Sequence, residues 1–153
     1  MKATMMSLVQ ALQRRTGRPE AAPDEPLMIL IVDDEAGIRT YVDRVLTRAG
    51  YRTMLALDGA DAIAVAARGP RVDLLLTDVV MPMMTGAQLA VRLRQDDPDL
   101  KVLYLSGYSD RLFVEKTWLF SEEAYLDKPC TPVELLQAVS LAITGSIHGH
   151  AGS

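Results

Sequence analysis

The sequence predicts a doubly wound α/β domain built on a five-stranded parallel sheet. Five short apolar runs alternate with segments of helical periodicity along the chain. The first, third and fourth runs are almost continuously apolar, which is typical of strands buried on both faces. Right-handed crossovers between parallel strands place the intervening helices on both faces of the sheet. A content of 49% hydrophobic residues in 153 is enough to fill one core without metals or disulfides.

The predicted elements follow a regular order. Strands are predicted at 28–32, 51–56, 72–77, 101–105 and 124–126. Helices are predicted near 37–49, 59–67, 87–95, 111–120 and 132–143. The last helix has the clearest start, because Thr131 can cap it, Pro132 stands at its first position and Glu134 lies three residues after the cap.

The two ends of the chain are predicted to lie outside this domain, which spans 27–145. Apolar residues at helical spacing indicate a short amphipathic helix within 1–16, and the proline-rich stretch after it indicates a linker to residue 26. That helix could pair two chains into a homodimer, pack on its own domain, dock a partner or stay unfolded. The tail 146–153 has no periodicity and is predicted to be disordered.

Composition excludes several classes of partner. The formal charge is −4 and no run of basic residues exceeds two, which argues against a nucleic-acid binder. No apolar stretch reaches the length of a membrane span. A single cysteine, Cys130, cannot form an internal disulfide and fits a reducing compartment, so we expect a cytoplasmic protein.

Polar residues follow four of the apolar runs. Asp33 and Asp34 follow the first run, Asp78 the third, Ser106 the fourth and Lys128 the fifth. Doubly wound sheets bind ligands outside the carboxyl ends of their strands, where the strand order reverses. The sequence therefore predicts that these side chains converge on one site.

Three clustered carboxylates repel one another unless a cation compensates them. Ligation by oxygen alone suits Mg²⁺. We expect Asp34 and Asp78 to be direct ligands, Asp33 to act directly or through water, and the backbone carbonyl of Val80 to supply a further oxygen.

Asp78 in such a site can act as a nucleophile toward an activated phosphoryl group. The charge on the transferring oxygens then needs stabilising groups on several sides. The Lys128 ammonium and the Ser106 hydroxyl are suited to two of them.

Each residue taken alone also has a simpler interpretation. Asp33 and Asp34 could merely cap the next helix, Asp78 could be a turn residue, and Lys128 could be a solvated surface charge. Their common position at strand ends favours a shared site.

Four motifs at the predicted strand ends resemble one known family. They are Ile31-Val32-Asp33-Asp34-Glu35, Thr77-Asp78-Val79-Val80-Met81-Pro82 with Gly86, Leu105-Ser106-Gly107-Tyr108, and Tyr125-Leu126-Asp127-Lys128-Pro129. In this order they resemble the CheY-like receiver domains of response regulators in two-component signalling, including the receivers of hybrid histidine kinases. The resemblance implies the flavodoxin-like strand order 2-1-3-4-5.

The resemblance also implies a switch. The hydroxyl at Ser106 would move onto the phosphorylated Asp78 and the Tyr125 ring would turn inward behind it. The surface expected to change comprises the helix near 111–120, the strand at 124–126 and the helix at 132–143. The Lys128–Pro129 bond would be cis, although the general frequency of X–Pro bonds favours trans.

The resulting hypothesis is a stand-alone response regulator, since no DNA-binding region follows residue 145 in this sequence. It would accept a phosphoryl group on Asp78 from a histidine kinase or a histidine phosphotransfer protein, and it would signal to a downstream protein by contact. It would be no enzyme beyond catalysing its own phosphorylation and dephosphorylation. Two alternatives are an unphosphorylated interaction module and a phosphatase or nucleotide-binding enzyme. The second lacks the expected Asp-x-Asp or glycine-rich loop.

Overall fold

The computed structural model of the protein describes residues 25–107 and 124–144. The predicted N-terminal helix, most of the linker, the predicted helix near 111–120 and the tail lie outside the described residues.

The described residues form a five-stranded parallel sheet. Its strands are β1 (Met28–Val32), β2 (Arg52–Ala56), β3 (Leu74–Asp78), β4 (Lys101–Ser106) and β5 (Ala124–Asp127). Their order in the sheet is β2-β1-β3-β4-β5, so the direction of winding reverses between β1 and β3. The predicted fold class and strand order are confirmed.

Four described helices connect or follow these strands. They are α1 (Ala36–Arg48), α2 (Gly59–Arg68), α3 (Gly86–Arg94) and α4 (Pro132–Thr144). The predicted start of α4 is confirmed, because Thr131 and Glu134 exchange hydrogen bonds of 2.8 and 3.1 Å between side chain and backbone. None of the helices in the described part of the chain combines the length and apolar character of a membrane span.

The sheet is covered on both faces. On one face, Ile29 and Ile31 of β1 pack in a buried cluster with residues of α1 and α4. On the other face, Leu30 and Val32 pack in a second cluster with residues of α2 and α3. Because every residue of β1 is buried, this strand shows no alternation of apolar and polar residues.

The third strand begins two residues later than the sequence predicts. The apolar run begins at Val72, which is buried but precedes β3. Asp73 interrupts the run, and its carboxylate accepts a hydrogen bond from the backbone N–H of Met28 at 2.7 Å. The Asp73 N–H in turn donates to the Met28 carbonyl at 2.8 Å, so this pair of bonds closes the start of the β1–β3 ladder.

Candidate functional site

The carboxyl ends of β1 and β3 bring three carboxylates together. Asp33 and Asp34 directly follow β1, and Asp78 is the last residue of β3. Since β1 and β3 are neighbours in the sheet, carboxylate oxygens of all three residues lie within 4.8 Å of one another. Asp33 and Asp78 are buried, whereas Asp34 is exposed and opens the cluster to solvent.

Asp33 is fixed by contacts from three directions. Its Oδ1 accepts the backbone N–H of Glu35 at 2.9 Å, and its Oδ2 accepts the Lys128 ammonium at 3.0 Å. Its backbone carbonyl accepts a hydrogen bond from Arg39 at 2.6 Å. Glu35 is the N-cap residue of α1, and its own side chain makes no capping hydrogen bond. Asp33 therefore both supports the entry into α1 and belongs to the charged cluster.

Lys128 connects two of the carboxylates. Its Nζ lies 3.0 Å from Asp33 Oδ2 and 3.3 Å from Asp78 Oδ1. Only 11% of its side chain is exposed, so it is not a solvated surface charge. Burial alone would lower the pKa of Lys128, but its hydrogen bond to Asp33 and the negative charge of Asp78 outweigh burial and raise that pKa above its ordinary value.

The loop after β3 folds back closely on Asp78. The backbone N–H of Val79 donates to Asp78 Oδ1 at 2.9 Å, and that of Gly86 donates to the Val79 carbonyl at 2.9 Å. A Cβ at Gly86 would overlap the backbone carbonyl of Asp78. Met83 has a positive φ of 71° in the same loop. The turn after Asp78 thus depends on a glycine where α3 begins.

The other proposed residues lie on the loop after β3 and on the neighbouring strands β4 and β5. Val80 is exposed two residues beyond Asp78. Ser106 is buried at the end of β4, the neighbour of β3, and its Oγ donates to the Gly107 carbonyl at 3.4 Å. Its own carbonyl accepts the backbone N–H of Lys128 at 2.8 Å. Tyr125 on β5 stacks on Tyr104, with ring centroids 5.5 Å apart.

The charges of the cluster fit a divalent cation. Three carboxylates stand against the Lys128 ammonium and the Arg39 guanidinium at the Asp33 carbonyl, so one formal negative charge is left over. The donor set is all oxygen, which suits Mg²⁺. Asp33, Asp34 and Asp78 are therefore suited to hold Mg²⁺.

Two residues of α1 near the site were not predicted from the sequence. Arg39 donates to the Asp33 carbonyl, and the Tyr41 hydroxyl donates to the Cys130 carbonyl at 2.7 Å. Both contacts end on backbone carbonyls, which carry no residue-type signal. The only sequence feature that could have indicated the first contact is the position of Arg39, six residues after Asp33.

The Lys128–Pro129 peptide bond is cis. The general frequency of X–Pro bonds was therefore misleading here, because it reflects only the weak intrinsic preference of the dipeptide for trans, ~0.5–1 kcal/mol.

Comparison with known proteins agrees with this geometry. The response regulator receiver domain family matches residues 29–140. Sporulation initiation phosphotransferase F of Bacillus subtilis is 30% identical over 111 residues, covering 72% of this chain and 89% of that protein. The sensor kinase CckA of Brucella abortus is 33% identical over 112 residues, 72% of this chain but only 12% of the kinase.

A solved structure shows the same fold. The chemotaxis protein CheY4 of Vibrio cholerae superimposes with a TM-score of 0.64 at 31% identity, covering 76% of this chain and 98% of that structure. The family match covers most of the chain and includes Asp33, Asp34, Asp78 and Lys128. This protein therefore belongs to the response regulator receiver domain family of two-component signalling.

Proposed function

We propose that this protein accepts a phosphoryl group on Asp78 from a phosphohistidine of a histidine kinase or phosphotransfer protein. The observation that carries this proposal is the position of Lys128, whose ammonium contacts both Asp33 and Asp78 within one carboxylate cluster. An ammonium beside a buried carboxylate can stabilise the negative charge on the oxygens of a phosphoryl group that is transferred to that carboxylate.

The transfer needs no general base. Asp78 is a carboxylate, so one of its oxygens forms the new bond to phosphorus without losing a proton. The bond between phosphorus and the donor nitrogen breaks, and its electron pair stays on the donor imidazole. Mg²⁺ bound by Asp33, Asp34, Asp78 and the Val80 carbonyl would supply positive charge for the phosphoryl oxygens.

Lys128 and Ser106 have separate roles after transfer. The Lys128 ammonium exchanges part of its contact with Asp78 for a contact with a phosphoryl oxygen. Ser106 reorients its hydroxyl from the Gly107 carbonyl toward the phosphoryl group, since the 3.4 Å bond that it now makes is long and weak. Lys128 stabilises the transferring phosphoryl group, and the reorientation of Ser106 is the conformational change that follows transfer.

The conformational change at Ser106 reaches the protein surface through β5. Tyr125 stacks on Tyr104 of the adjacent β4, so a movement of Ser106 at the end of β4 changes the packing beside Tyr125. The surface formed by β5 and α4 would then bind a downstream protein, together with the predicted helix near 111–120, which lies outside the described residues. The added charge of about −1.5 to −2 on the site supplies the driving force.

The protein's place in the cell follows from the same proposal. A sensor kinase and a phosphotransferase are among its relatives, although the chain spans only a small part of the kinase. We infer a cytoplasmic signalling role for the domain at 27–145, with no catalysis beyond its own phosphorylation and dephosphorylation.

Acetyl phosphate with Mg²⁺, followed by intact mass spectrometry, tests the phosphoacceptor. We expect one phosphoryl adduct on the wild type, no adduct on Asp78→Asn, and an adduct on Asp99→Asn, because Asp99 is exposed outside the cluster. A wild type that stays unmodified while a known receiver is labelled would contradict the proposal and favour an unphosphorylated interaction module.

A further inference from the structure

We propose that Tyr41 is a positioning residue that holds the lysine loop, residues 128–131, against α1. This inference rests on the proposed function, in which Lys128 stabilises the transferring phosphoryl group. The Tyr41 hydroxyl donates to the carbonyl of Cys130 at 2.7 Å, across 89 residues of sequence. Cys130 lies two residues after Lys128, so this contact ties α1 to the segment that carries the ammonium.

The lysine loop is held to three parts of the fold. The backbone N–H of Lys128 donates to Ser106 at the end of β4. Thr131 and Glu134 exchange hydrogen bonds at the start of α4. The Tyr41 bond adds α1 as the third support. This third support comes from the helix that begins three residues after Asp33.

Packing between α1 and the lysine loop is incomplete beside this bond. A cavity of about 310 Å³ lies between α1 and the lysine loop. Its lining includes Ile38, Tyr41, Val42, Lys128, Pro129 and Cys130. Ile38 and Cys130 pack on the same apolar cluster beneath this space, but side chains do not fill the space itself, so the hydrogen bond adds a fixed distance to incomplete packing.

α1 thereby joins both halves of the charged cluster. Arg39 donates to the Asp33 carbonyl at 2.6 Å, and Tyr41 binds the lysine loop two residues further along the helix. A short, rigid helical segment therefore sets the position of Lys128 relative to Asp33. Their ion pair, at 3.0 Å, is the contact that this arrangement preserves.

Tyr41 is a suitable donor for this role. Partial burial, and then the nearby Cys130 and Glu134, raise the pKa of its hydroxyl above the ordinary value. The hydroxyl therefore stays protonated around neutral pH and continues to donate. A phenylalanine would keep the ring and remove only the donor.

The test compares Tyr41→Phe with the wild type for phosphoryl uptake from acetyl phosphate, in which Asp78 gains the phosphoryl group and acetate leaves. At saturating Mg²⁺ we expect the rate to fall roughly threefold to tenfold, the range that one net hydrogen bond supplies. The half-saturating Mg²⁺ concentration should not rise, because an ammonium that is held less firmly against Asp33 and Asp78 competes less with Mg²⁺ for these carboxylates. Thermal unfolding is measured in parallel to establish that Tyr41→Phe is folded.

Tyr51→Phe is the matched control, because Tyr51 follows the opposite end of α1. Its rate should equal that of the wild type. A Tyr41→Phe rate equal to the wild type, or a fall accompanied by a matching rise in half-saturating Mg²⁺, would overturn the inference. If neither the wild type nor Tyr51→Phe takes up phosphoryl, the proposed function itself fails.

Discussion

At the scale of single residues, Lys128 decides the electrostatics of the site. Two buried carboxylates, Asp33 and Asp78, share its ammonium, and their attraction outweighs the effect of burial on its pKa. Buried ion pairs add little net stability compared with apolar packing, but removing one partner leaves the others uncompensated. The site therefore depends on this lysine before any metal or phosphoryl group arrives.

Replacing Lys128 by alanine should destabilise the protein and slow phosphoryl uptake. Without the ammonium, Asp33 and Asp78 lose the cation that contacts them both, which should lower the free energy of unfolding by about 1–3 kcal/mol. Urea denaturation in a chelating buffer measures this loss, and adding Mg²⁺ should restore part of it.

Lys101→Ala provides the comparison, since Lys101 is exposed at the start of β4. It should leave both stability and uptake close to those of the wild type. Equal stability of Lys128→Ala and Lys101→Ala in the chelating buffer would show that the ion pairs do not support the fold.

At the scale of elements, the five strands and the four helices among the described residues begin and end within two residues of their predicted bounds, because their apolar patterns are regular. The convergence of Asp33, Asp34, Asp78 and Lys128 was equally predictable, since parallel strands bring their carboxyl ends to one edge. The contact from Tyr41 to Cys130 was not, because it joins a side chain to a distant backbone carbonyl. No periodicity or motif encodes such a contact.

Gly86 at the start of α3 gives a prediction on this scale. A methyl group there would overlap the Asp78 carbonyl, and because the obstacle is backbone rather than a flexible side chain, the loop after β3 must shift. We expect Gly86→Ala to lower the free energy of unfolding by about 1–3 kcal/mol. Phosphoryl uptake should fall as well, since the shift displaces Asp78.

Gly37→Ala is the appropriate control for this substitution. Gly37 lies in α1, and no atom stands within 4 Å of a Cβ built there. Alanine should be neutral or stabilising by up to about 1 kcal/mol, because it favours the helix. Chemical denaturation of both variants decides the matter, and similar losses in both would argue against a specific overlap at Gly86.

At the scale of the whole molecule, the fold concentrates unfavourable charge at one edge of an otherwise well-packed sheet. Both faces of the sheet are sealed by apolar clusters, whereas the three carboxylates of the cluster outnumber the two cations beside them, Lys128 and Arg39. Stability and metal binding should therefore be linked, because a cation bound to the folded state shifts the folding equilibrium.

Mg²⁺ should consequently raise the stability of the wild type in a way that depends on Asp34. At ten times its dissociation constant, Mg²⁺ should add about 1.4 kcal/mol to the free energy of unfolding. Asp34→Asn should be more stable than the wild type without metal, since it removes one repelling charge, and it should lose most of the gain on adding Mg²⁺. Thermal or urea unfolding across a Mg²⁺ titration measures both effects, with Asp99→Asn as a surface control that keeps the full gain. An Asp34→Asn protein that responds to Mg²⁺ like the wild type would remove Asp34 from the proposed ligands and leave the buried pair, Asp33 and Asp78, as the carboxylates that hold the metal.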